Sequence, residues 1–84
     1  MLKHFVISTE HLLDAAVREM FDHGVNEFIA TATRAGFISQ LSPTYMPTLT
    51  LVTVNVVKLN SFTKQIDHVS AAEFDAAVKA ARRV

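Results

Sequence analysis

The chain contains no cysteine, and that one absence removes disulfides, thiolate metal sites and a thiol nucleophile together. It has only two glycines, Gly24 and Gly36, so no glycine-rich loop can cradle a phosphate. There is no HExxH pair and no GxSxG elbow. Long apolar runs are missing as well. A spanning helix needs about 20 apolar residues, whereas the most apolar region is broken by Pro43 and Pro47 and interleaved with Ser, Thr and Asn. The N-terminal MLKHFVISTEH returns to polar residues too soon to form the apolar part of a signal peptide. A soluble, cytoplasmic protein is the expectation.

Charge is also missing, but only in one place. Ala35–Val57, more than a quarter of the 84 residues, carries no Asp, Glu, Lys or Arg. Elsewhere eight basic and eight acidic residues cancel. The length fits one domain, residues 1–84, near the size at which a single core barely suffices. Half the residues are apolar and 19% are charged, against about 25% charged in an ordinary domain. So small a body cannot hide that much apolar surface, and a homo-oligomer or a protein partner is the expected outlet.

The hydrophobic pattern predicts an α+β fold in the order β-α-β-β-(β)-α, two helices packed on one face of a mainly antiparallel sheet. Lys3–Ser8 reads as a strand, with Phe5 and Ile7 on one side and His4 and Val6 on the other. Ser8 or Thr9 can cap a helix whose buried stripe is Leu13, Ala16, Val17, Met20 and Phe21. Gly24 suits its end. Residues 26–34 (NEFIATATR) read better as a strand than as a helix, because of their Thr and Ile content; the helical reading would end at Gly36. Residues 37–47 have no consistent period and read as an apolar loop.

Thr48–Leu59 reads as a strand whose apolar side changes over near Leu51–Val52, by a β-bulge or because both faces are buried. Phe62–Asp67 is a further strand or a turn. Ser70-Ala-Ala-Glu73 matches a capping box, and Phe74, Ala77, Val78 and Ala81 continue it as a helix.

Candidate chemistry is sparse. His4, His11, His23 and His68 are scattered, so neither a metal site nor any cofactor is expected. Glu10, Asp14, Glu19, Asp22 and Glu27 give the first helical region an acidic surface that can orient an encounter with a charged partner. Lys79, Arg82 and Arg83 are candidate nucleic-acid contacts, but three cations without interleaved aromatics make nucleic acid the weaker expectation. Phe37, Ile38, Leu41, Tyr45 and Met46 are candidate partner-binding anchors, since aromatic residues and Met are enriched in interface cores. Thr48, Thr50, Val52 and Val54 form a candidate edge strand for pairing with a second chain.

The sequence therefore points to a small non-enzymatic protein-binding regulator or inhibitor. It would act by steric occupation of another protein's surface, as a homodimer. Two alternatives stand beside it: a nucleic-acid-binding regulator using the C-terminal basic helix, and a subunit of an oligomer with a ligand site between chains.

Overall fold

The computed structural model describes residues 1–82. The elements are β1 (Leu2–Ser8), α1 (Thr9–Leu12), α2 (Ala15–Arg34), β2 (Ile38–Tyr45), β3 (Leu49–Asn60), β4 (Gln65–His68) and α3 (Ala71–Arg82). The α+β class and the single antiparallel sheet follow the expectation from the sequence; several element identities do not.

The first helix is interrupted. Ser8 Oγ accepts from the His11 amide at 3.1 Å and starts α1, as foreseen. After one turn, Asp14 Oδ1 accepts from Ala16 and Val17 N–H and starts α2. The long helix then runs through Gly24 to Arg34, so residues 26–34 are helix and not the favoured strand. Two physical reasons decide it. The stripe Phe21, Val25, Phe28, Ile29, Ala32 keeps helical spacing straight across Gly24 and faces the core. Thr31 and Thr33 turn their hydroxyls back onto the Glu27 and Ile29 carbonyls, each at 2.9 Å, which makes them acceptable inside a helix.

Gly36, not Gly24, ends this helix. It adopts φ +91°. The Phe37 amide donates to Ala32 O and the Gly36 amide to Thr33 O, each at 3.0 Å. These are the paired bonds of a Schellman cap, completed by apolar Phe37 packing on the core.

The apolar loop expected over 37–47 is mostly strand β2. Pro43, which had argued for a loop, sits in an edge strand, where its missing N–H can face away from the ladder. β3 is the centre of the sheet, with β1 on one side and β2 on the other. β1 pairs with residues 49–55 and β4 with residues 57–60. Val57 pairs with both Ile38 of β2 and His68 of β4, so β1 and β4 lie end to end along the same edge of β3. Met1 bridges that junction through its amino group and carbonyl, both bonded to the Val56 backbone at 2.9 and 2.7 Å.

The register along β3 is continuous, with no bulge at Leu51–Val52. Its two sides therefore face different surroundings. Val52, Val54 and Val56 meet the helices and join Val25, Ala32, Val69, Phe74 and Val78 in the core. Burial of each fully covered valine among them, such as Val54 or Val56, contributes about 1.5–3 kcal/mol. Phe28 links the layers, edge-on to Phe5 at 5.8 Å and stacked on Phe74 at 5.5 Å.

β4 realises the strand alternative for the region after β3, but only over Gln65–His68. Asn60 Oδ1 accepts from Phe62 and Thr63 N–H and folds the preceding turn. At α3, Ser70 Oγ accepts from the Glu73 amide at 3.1 Å. The other arm of the expected capping box is diverted: both Glu73 oxygens bind Lys58 Nζ, at 2.7 and 3.0 Å, tying α3 to β3.

Candidate interaction surfaces

His4 Nδ1 lies 3.1 Å from Thr53 Oγ1 on the sheet, His68 stands on β4, and His11 and His23 sit exposed on helices. Among the described residues no three His, Asp or Glu side chains come together as metal ligands. Ser39 Oγ is buried without a hydrogen-bond partner, so no base activates it. Lys58 is held above its ordinary value of 10.5, chiefly by its hydrogen bond to Glu73. Desolvation opposes the shift, and the charges of Glu73 and Asp67 add to it. That pair staples helix to sheet.

The five candidate anchors divide. Phe37 is core, stacked on Phe74 at 5.9 Å between ring centres. Ile38 points to the side of the sheet away from the helices, opposite Val57. Leu41, Pro43 and Tyr45 alternate onto the helix-facing side of β2, yet Leu41 remains 52% and Tyr45 76% exposed. With Met46 at the following turn, 44% exposed, they form an uncovered apolar ledge along the sheet's edge.

Thr50, Val52 and Val54 cannot serve as an edge for another chain. They lie in β3, paired on both sides, and Thr50 and Val54 are buried. Thr48 falls in the β2–β3 turn, where its carbonyl accepts from the Thr9 amide at 3.0 Å. A strand this apolar on both faces suits the middle of a sheet as well as an edge, and only the pairing distinguishes them.

The side of the sheet away from the helices was not singled out from sequence. Leu2 and Val6 of β1, Ile38 of β2, Leu59 of β3 and Ile66 of β4 lie on it, each between 43% and 59% exposed. Between them run the neutral polar groups His4, Thr53, Ser42, Gln40 and Asn55. The Asn55 amide donates to Gln40 Oε1 at 3.4 Å across the strands. Among the described residues no Asp, Glu, Lys or Arg stands on this face. The strand charges Lys3, Lys58 and Asp67 all fall on the helix side, opposite Val54 and each other. The signal was present in the alternation of His4 and Val6 against Phe5 and Ile7.

Of the basic candidates, Lys79 and Arg82 are exposed on α3, while Arg83 lies outside the described residues. Arg82 shares a cleft of about 270 Å³ with Thr31, Arg34, Val78 and Ala81. Arg34, which no motif marked, is therefore brought beside it by the packing of α2 on α3. Among the described residues no helix is long and apolar enough to cross a membrane. Compared with known proteins, the chain matches no family model, no curated protein and no solved structure.

Proposed function

We propose that this protein is a non-enzymatic binding module that regulates a larger protein by occupying part of its surface. The observation that carries this reading is the ledge on β2. Leu41 and Tyr45 are large side chains left uncovered on the helix side of an edge strand, and Met46 continues them in the turn that follows. Tyr45 makes a good anchor because its ring loses little rotamer freedom on entering a partner's apolar pocket, and Met46 can adapt its shape beside it. The acidic residues Glu10, Glu19, Asp22 and Glu27 on the helices orient the encounter. The mechanism is steric exclusion, with no cofactor.

Capture of partners from the native source by the purified chain, compared with Tyr45→Asp and Leu41→Asp, tests this. Both side chains are exposed, so the variants keep the circular dichroism and melting temperature of the parent and lose the partner. Retention of the same partner by both folded variants contradicts the proposal.

The Arg34–Arg82 cleft favours a second reading, nucleic-acid binding with Lys79 nearby. In that case affinity falls steeply with salt, and Arg34→Ala and Arg82→Ala reduce the slope. Absence of binding at low salt removes it.

A further inference from the structure

We infer that the charge-free face of the sheet is a self-association surface, and that its occupant is a second copy of this chain packed face to face. This surface is separate from the β2 ledge, on the opposite side of the sheet. Across a two-fold axis the same patch meets itself, so a face carrying one sign of charge would meet like charge and be penalised. Here there is nothing to repel. The groups that replace charge on this face, Gln40, Ser42, Thr53 and Asn55, carry amides or hydroxyls that both donate and accept, so the surface complements itself. Two exposed apolar groups, Val6 and Leu59, flank the polar strip toward opposite ends of the sheet.

The size agrees. Strands of seven, eight, twelve and four residues cover roughly 500 Å² per copy. Two copies stacked as sheets about 10 Å apart remove about 1,000 Å² in total, the small end of specific interfaces. The expected dimer is therefore reversible.

Sedimentation of the purified full chain tests the inference. The expected result is a concentration-dependent monomer–dimer equilibrium. Val6→Lys and Leu59→Lys, both exposed in one copy, give folded monomers, whereas Tyr45→Asp leaves the dimer intact. That last variant separates failure here from failure of the partner-binding reading. A parent chain that stays monomeric at every concentration overturns the proposal. So does a dimer that survives Val6→Lys and Leu59→Lys together, since the contact then lies elsewhere, for example along the free edge of β1.

Discussion

The two faces of the sheet are built from alternate residues of the same strands and have opposite fates. One meets α2 and α3, and there Val54, Val56 and Val69 have no accessible surface. The other leaves Leu2, Val6 and Leu59 more than half exposed, with Val57 alone among its apolar groups buried. The covered face tolerates charge because helices can answer it, as Glu73 answers Lys58. The bare face carries none. A face merely open to water would gain solubility from charge, so its absence there points to contact rather than to solvation.

Substitutions should separate the two faces by magnitude. The largest effect belongs to the covered side. Phe74→Ala removes a ring that stacks on both Phe28 and Phe37, and should cost about 3–5 kcal/mol in denaturant unfolding. Val6→Ser on the bare face should move the unfolding of the dilute chain by no more than about 0.5 kcal/mol. Equal costs would erase the distinction.

The helix that forms the cover gives the next test, through its glycines. Gly36 holds a positive φ, so Gly36→Ala should destabilise by about 1–2 kcal/mol. Gly24 is exposed inside α2, and an added Cβ meets nothing within 4 Å. Gly24→Ala should therefore stabilise by about 1 kcal/mol. Thermal melts of both variants decide whether Gly24 truly lies within the helix.

Smaller effects sharpen the picture. Ser39 Oγ is buried without a partner, so Ser39→Ala should be neutral or stabilising by up to about 1 kcal/mol. The Lys58–Glu73 pair is partly exposed, so Glu73→Gln should have a smaller effect than the core and glycine substitutions. Its pH dependence has a definite sign. Lys58 is raised above 10.5 in the folded chain, so its contribution is complete below that value and is lost as pH rises through the higher folded value. Denaturation curves of parent and Glu73→Gln should therefore converge in strongly alkaline solution.

Much of this fold was legible because its signals were local. Ser8 and Ser70 marked helix starts, and Phe5 and Ile7 marked the covered side of β1. The errors came where local chemistry was ambiguous. Gly24 resembled a helix stop and the threonines after it resembled a strand, but both were outweighed by the core-facing stripe from Phe21 to Ala32. Pro43 and Pro47 disguised β2, because an edge strand exposed on both sides shows no hydrophobic period. The candidate surfaces were less legible still. Leu41, Tyr45 and Met46 are exposed, as an anchor must be, but Phe37 belongs to the core. The bare face spans four strands, and only their pairing shows that its neutral residues adjoin.

A dilution series followed by methyl and amide NMR tests the self-association of the bare face most directly. If two copies meet there, the signals of Val6, Leu51 and Leu59 shift progressively with dilution, while those of Val54, Phe74 and Val78 hold still. Spectra that do not change with concentration, or changes gathered on the helices, would contradict the account.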